Sequence, residues 1–257
     1  FAALSQCAFL GWPDRLAEAL VRWVSRNHES TAAQDREALS RNADEFEGIV
    51  SEMLEARRSE DARDAADPTA ALMREKVLGR SLDLPPLTSI LRNWTVGEIG
   101  TISASLGIMA QYLAERPGLQ ARLRGEPGLL PDAIDEMLRI HGPLATNRRV
   151  ATRAVDLGGR RIEAGERITL HWVSANRDEA VFGDPDEFRL DRDPSKNLLY
   201  GAGIHVCPGA PLARLELRVF MEELLSRSPG LVPVPECPAE LAVYPASGYA
   251  RVPLTVG

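Results

Sequence analysis

One ten-residue stretch constrains this chain more than any other: Tyr200-Gly201-Ala202-Gly203-Ile204-His205-Val206-Cys207-Pro208-Gly209. Two glycines precede Cys207 and a Pro-Gly pair follows it. A strongly helical run, Ala210-Pro211-Leu212-Ala213-Arg214-Leu215-Glu216-Leu217-Arg218, comes next. Cys207 is therefore expected in a glycine-rich loop that opens straight into a helix. A helix N-terminus carries unpaired N–H groups and partial positive charge. Both favour an anion beside it, and thiolate is the form of cysteine that ligates metal. Pro208 is tolerated because a missing N–H costs little at that point. The glycines let the backbone approach something flat and bulky with no Cβ in the way. On these residues alone, Cys207 is either a metal-ligating thiolate or a buried structural thiol.

The loop resembles the haem-binding loop of cytochromes P450, in which an aromatic residue, glycines and a basic residue precede the thiolate cysteine. The resemblance implies that Cys207 is the proximal iron ligand of a haem b and that His205 meets a propionate. Gly201, Gly203 and Gly209 keep the backbone close to the macrocycle. A thiolate ligand donates electron density to the iron and favours O–O cleavage.

Composition narrows the class. Of 257 residues, 44% are hydrophobic and 26% charged, so the chain is globular. The formal net charge of −7 argues against a nucleic-acid binder, whose footprint is basic. No apolar run reaches membrane-spanning length and no signal peptide is visible. Cys7, Cys207 and Cys237 are odd in number and widely spaced, which suggests a reducing, cytoplasmic compartment. The chain begins at Phe1, inside an apolar stretch, and reads as a fragment, a processed product or the visible part of something longer.

Along the chain, Pro13-Asp14 can start a helix running to about residue 27, with Leu16, Leu20, Val21 and Val24 at helical spacing. A second helix is expected over about 32–58, with Phe46, Ile49, Val50, Met53 and Leu54 as its buried stripe. Residues 59–68 read as a surface loop, 69–76 as a short helix, and the stretch holding Pro85-Pro86 as a linker. One long helix is expected over 87–116, although Gly97, Gly100 and Gly107 each cost it about 1 kcal/mol. Thr95 and Glu98 could instead form a capping box that starts a new helix. Gly97 and Gly100 leave either a groove for a cofactor or a site of close helix packing. A short helix covers 131–140. Strand-like segments follow at 149–152, 155–157, 161–163 and 167–172, with Gly158-Gly159 as a hairpin turn. A polar helical turn at 174–178 leads into irregular coil over 182–188, and short hairpins are expected in 231–257.

From Leu87 onward the order of features is similar to the C-terminal part of a bacterial cytochrome P450. Glu136-Met137-Leu138-Arg139 matches the family's Glu-x-x-Arg pair. Spacing alone makes these an ordinary helix-surface pair. The resemblance implies a buried network instead, with Arg192 as its third member. Arg149 matches the arginine that holds a haem propionate. Ala175 to Asp178 and Phe182 to Phe188 match the family's coil, and Gln6 to Pro13 is similar to the segment before its E helix.

Two departures stand out. Counting back from Pro117, Thr101 falls where the family has a threonine that relays protons to bound oxygen. The neighbouring acid position holds Gly100, which carries no proton. Glu98 is then the nearby acid, two residues away and on another side of the helix. As a helix threonine, Thr101 is equally suited to bonding its own backbone. The second departure is length, since complete members carry a substantial region before this chain begins. A longer protein or a partner chain is expected to cover that face.

The fold expected is mainly α with small antiparallel β-sheets, a cytochrome P450 fold lacking its N-terminal portion, as a single haem domain over 1–257. The function implied is a haem-thiolate monooxygenase acting on a small apolar molecule, with electrons from a separate ferredoxin or flavoprotein reductase. Two alternatives stay open: a P450-like protein with peroxide-driven or non-oxygenating chemistry, prompted by Gly100, and a haem-free scaffold, prompted by the missing region.

Overall fold

A computed structural model describes residues 1–58, 66–244 and 246–257. Most of the surface loop expected at 59–68 lies outside the described residues. Helices dominate, and every sheet has two antiparallel strands. The chain divides into two compact units, Phe1–Ser103 and Ala104–Gly257, with the division inside one long helix. Among the described residues no helix is long and apolar enough to cross a membrane.

The first unit opens with α1 (Ala2–Leu10), which ends on Gly11 in the left-handed region at φ 68°. After a 3-10 turn, α2 runs Ala17–Ala33 and α3 Arg36–Ala56. The boundary between these helices falls later than the sequence predicts. No glycine or proline interrupts residues 14–47. Gln34 ends α2 by turning left-handed at φ 56°, and Asp35 caps α3 by accepting from the Ala38 N–H at 3.0 Å. Asp67 caps α4 (Pro68–Arg74) in the same way, from the Ala70 N–H at 2.8 Å. The expected linker holds a small hairpin, β1 (Lys76–Val77) and β2 (Arg80–Ser81), turned by Leu78 and Gly79 at φ 52° and 77°.

Helix α5 runs unbroken from Leu84 to Ala114, with Pro85 and Pro86 in its first turn. The capping-box alternative does not form. Thr95 lies inside the helix and its Oγ1 donates to the Leu91 carbonyl at 2.8 Å while accepting from Gln6 Nε2 at 3.2 Å. The core of this unit gathers Leu10, Trp12, Leu20, Trp23, Phe46, Val50 and Leu91. Its buried indole N–H groups are satisfied: Trp23 donates to the Asn42 carbonyl at 2.8 Å, and Trp12 donates to Thr69 Oγ1 at 3.0 Å. Arg57 ties α1, α3 and α4 together. It pairs with Asp67 at 3.0 Å and donates to the carbonyls of Leu10, Gly11 and Met53.

The second unit takes the last turns of α5, then α6 (Pro117–Gly125), which the sequence reading did not assign, and α7 (Leu130–His141). Strand β3 (Thr146–Val150) pairs with β6 (Arg167–His171), and β4 (Val155–Leu157) with β5 (Arg160–Ile162) across the expected Gly158-Gly159 turn. Two single-turn helices follow, α8 (Trp172–Ala175) and α9 (Glu179–Phe182). Then come α10 (Ala210–Arg227), β7 (Leu231–Pro233), β8 (Glu240–Leu241), β9 (Tyr249–Arg251) and β10 (Leu254–Val256). The tail is only partly hairpins, because β7 pairs with the distant β10. Gln120 clips this region internally: its amide donates to the carbonyls of Leu113 and Leu231 and accepts from the Leu231 N–H, all within 3.0 Å. Met109, Leu113, Leu130, Met137, Leu217 and Met221 are among the buried apolar residues of the unit.

Gly11 is required twice over. Its φ is left-handed, and a Cβ there would come within 2.6 Å of the Asp67 side chain that Arg57 holds. Gly11→Ala is expected to cost about 1–3 kcal/mol, seen as a lowered midpoint in chemical denaturation.

Candidate functional site

The Cys207 loop is shaped by its glycines. Gly201 and Gly203 both adopt positive φ, 73° and 66°. The loop turns between them so that the Cys207 N–H donates back to the Tyr200 carbonyl at 2.8 Å. A 3-10 turn, Gly203–His205, leads to Val206, and α10 starts three residues after the cysteine with Gly209 as its N-cap. The Cys207 thiol is free and exposed. Ile204 and Val206 stand beside it in the chain, 96% and 53% exposed. A Cβ on Gly209 would meet the Cys207 Sγ at 3.8 Å, an ordinary contact distance. His205 is exposed on the same turn.

This is the donor chemistry a haem iron needs from a protein: one soft sulfur ligand on a surface poor in side-chain bulk and rich in apolar contact. The residues fit the group that the sequence implies. Arg149 lies on β3 opposite Ile168, half-buried, and donates to the Arg148 carbonyl at 2.9 Å. Together with Arg148, Val150 and Arg167 it lines an open recess of about 460 Å³. Three guanidinium groups around one recess suit a carboxylate.

The structure also brings together Glu136, Arg139 and Arg192. Arg139, with no exposed surface, makes a two-pronged pair with Glu136 at 2.7 and 2.9 Å. Arg192 Nε donates to the same carboxylate at 2.8 Å, and the Arg189 N–H at 3.1 Å. The guanidinium groups then spend their other N–H bonds on backbone carbonyls. Arg139 donates to Asn176 at 2.6 Å and Pro185 at 2.7 Å. Arg192 donates to Phe182 at 2.6 Å, Glu187 at 2.9 Å, and Asp184. The Phe182 ring packs under both, 4.8 Å from Arg139 and 5.9 Å from Arg192. So the irregular segment 176–192 is held by side chains in place of a β ladder or helix.

Asn176 carries that order onward and was missed as a site residue. Its Oδ1 accepts from the Leu198 N–H at 2.7 Å, and its Nδ2 donates to Asn197 Oδ1 at 3.3 Å. Asn197 in turn accepts from the Leu199 N–H and donates to the Asp135 carbonyl on α7. Arg214 of α10 pairs with Asp135 at 2.8 Å and lies 4.4 Å over the Tyr200 ring. Burial, then the Asp135 charge, pushes the Tyr200 phenol well above its ordinary range, so it stays protonated. An asparagine in the polar turn that leads into the coil was the available signal.

On α5, the Thr101 hydroxyl donates to the Gly97 carbonyl at 2.5 Å, the helix-internal arrangement. The Gly97–Gly100 groove divides. Space at Gly97 is open, whereas a Cβ on Gly100 would lie 3.2 Å from His28 Cε1 of α2. A larger residue at Gly100 would therefore press on α2. Glu98 is half-buried on the same helix.

A sequence model described as "Cytochrome P450" matches residues 14–228. Cyclomarin C epoxidase CymV of Salinispora arenicola is 33% identical over 220 residues, 85% of this chain and 56% of that one. Nocardicin C N-oxygenase of Nocardia uniformis is 36% identical over 206 residues, 79% of this chain and 50% of that one. The chain therefore spans about half the length of these relatives. A crystal structure of CYP109E1 from Bacillus megaterium with corticosterone superposes with a TM-score of 0.87 at 26% identity. It covers 99% of this chain and 69% of that one.

The Glu136 carboxyl is the keystone to test. Burial pushes it up, but the bonds from Arg139, the Arg189 N–H and Arg192 outweigh this and hold it below the usual carboxylate range. A depressed folded value means stability that is present above the unfolded value and lost as pH falls through the folded one. Glu136→Ala is expected to lose about 3–5 kcal/mol at neutral pH, because two buried guanidinium groups lose their partner. Denaturation at several pH values would show the gap between parent and variant narrowing in acid.

Proposed function

The chain belongs to the cytochrome P450 family, and from that premise we propose that it is the haem-binding part of a monooxygenase. The reaction is insertion of one oxygen atom from O2 into a small apolar organic substrate, with electrons from a separate ferredoxin or flavoprotein reductase. The observation that carries this reading is the free, exposed Cys207 in a glycine-turned loop at the start of α10. Relatives named as an epoxidase, an N-oxygenase and a hydroxylase/epoxidase support the oxygenating reading.

In this reading residues 1–257 act as one haem domain. Haem b, when bound, supplies oxygen activation and the two-electron oxidation. Cys207 would provide the thiolate ligand. His205 and Arg149 neutralise the propionates. Gly201, Gly203 and Gly209 keep side chains off the macrocycle. The Glu136–Arg139–Arg192 network fixes the segment behind the loop, so the sulfur is positioned before it binds anything. Thr101 and Glu98 hold and pass protons on α5. The free cysteines, with Cys7 buried, suit a reducing cytoplasm. Pro208 has no N–H to offer the sulfur. That leaves the thiolate more electron-rich and the iron potential lower than a neighbour with an N–H would give.

Two measurements check the ligand assignment. The purified protein is expected to show a Soret band and a reduced carbon monoxide difference spectrum of thiolate-ligated haem. Cys207→Ala is expected to lose both, and an unchanged spectrum in that variant removes the proposal. In a redox titration Pro208→Leu is expected to raise the potential, and no rise would remove the role given to Pro208.

A further inference from the structure

One cluster of rings in the second unit plays no part in the proposed function. His141, the last residue of α7, sets its imidazole edge-on to the Tyr112 ring of α5, with centroids 5.4 Å apart. The Phe188 ring also lies against Tyr112, at 5.8 Å. Phe188 immediately precedes Arg189, whose N–H donates to Glu136 at 3.1 Å. His141, Tyr112 and Phe188 therefore form a row of rings that ends beside the Glu136 network. The surroundings of the imidazole are cationic. The Arg116 guanidinium sits over Tyr112 at 3.7 Å. Arg177 donates to the carbonyl of Ile140, the residue before His141, at 3.3 Å. The two acids nearby are already engaged: Glu115 by Arg116 at 3.2 Å and Gln111 at 2.7 Å, and Asp186 by Arg177 at 2.7 Å. Glu136 and Arg139 of α7 itself pair with each other. A helix C-terminus usually favours a cation, but here Arg177 already takes up that position. Burial, then Arg177 and Arg116, push the His141 imidazole below the ordinary histidine range, so it is neutral at pH 7.

We propose that His141 is a pH-sensitive latch on the coil around Phe188: the neutral imidazole seats the row of rings, and a protonated one adds a third cation beside Arg116 and Arg177 and loosens it. The coil then slackens where the Arg189 N–H meets Glu136. Mild acid thus weakens the network before the Glu136 carboxyl takes up a proton. The two events fall in separate windows. Both groups titrate lower in the folded protein, so each contributes stability that is present above its unfolded value and lost as pH falls through the folded one. For His141 that window lies just below the ordinary histidine range, and for Glu136 below the carboxylate range. The latch is a property of the chain itself and stands apart from the monooxygenase reading.

Amide exchange and ring titration on the purified chain test it. The chain has four histidines, and the His141 resonances are identified by their contact with the Tyr112 ring. In the parent, the Arg189 amide is expected to exchange about tenfold faster at about pH 5.5 than at about pH 7.5, after correction for the intrinsic rate. The midpoint of that step is expected to coincide with the His141 titration. The Leu231 amide, bonded to Gln120, is the reference and keeps its protection. His141→Gln has no ring to charge, so its Arg189 exchange is expected to show no such step, whatever its absolute rate. Arg177→Gln removes a neighbouring cation and is expected to move both midpoints to higher pH, which a merely packing role for His141 would not produce. A step that persists in His141→Gln overturns the proposal. So does a His141 ring that titrates with no response at Arg189, or a step that Leu231 shares.

Discussion

The carboxylate of Glu136 is shared by two guanidinium groups and a backbone N–H, and the rest of the second unit depends on that sharing. A buried ion pair alone is weak evidence of stability, because removing both charges from water costs about what their attraction returns. What changes the balance here is geometry. Arg139 and Arg192 present rigid forks, and both donate further to carbonyls of the coil between residues 176 and 187. Lysine could supply the charge but not the fork. The network therefore does for an irregular segment what a ladder does for a strand: it gives its backbone carbonyls fixed partners.

From this anchor the order passes to the Cys207 loop through Asn176. Its carbonyl accepts from Arg139 while its side chain holds the Leu198 N–H and reaches Asn197. The loop itself is free to turn because Gly201 and Gly203 accept positive φ. It is also stopped from wandering, because Tyr200 lies under Arg214 and its carbonyl receives the Cys207 N–H. The sulfur is thus placed by contacts that involve no ligand. Such preorganisation lets a single thiolate bind iron without first paying to order its own loop.

The parts legible in the sequence were those set by local backbone demands. The glycine-turned loop, the Gly158-Gly159 hairpin and the long α5 are written in adjacent residues. Glu136 and Arg139 were visible as a pair, but their spacing describes an exposed helix face equally well, and only resemblance placed them inside. What stayed hidden was non-local. The α2–α3 boundary depends on a left-handed Gln34 that no residue type announces. Strand β7 finds its partner in β10 across more than twenty residues. Asn176 gains its role from Arg139, and the imidazole of His28 meets Gly100 from another helix.

The central claim is that the Arg139 fork, through Asn176, holds the Cys207 loop in place before any cofactor binds. Hydrogen–deuterium exchange on Arg139→Lys tests it most directly, with the Gln120-clipped Leu231 amide as an internal reference for global stability. The account predicts that the Leu198, Leu199 and Cys207 amides exchange much faster in the variant while Leu231 keeps its protection. Loop amides as protected as in the parent would contradict it.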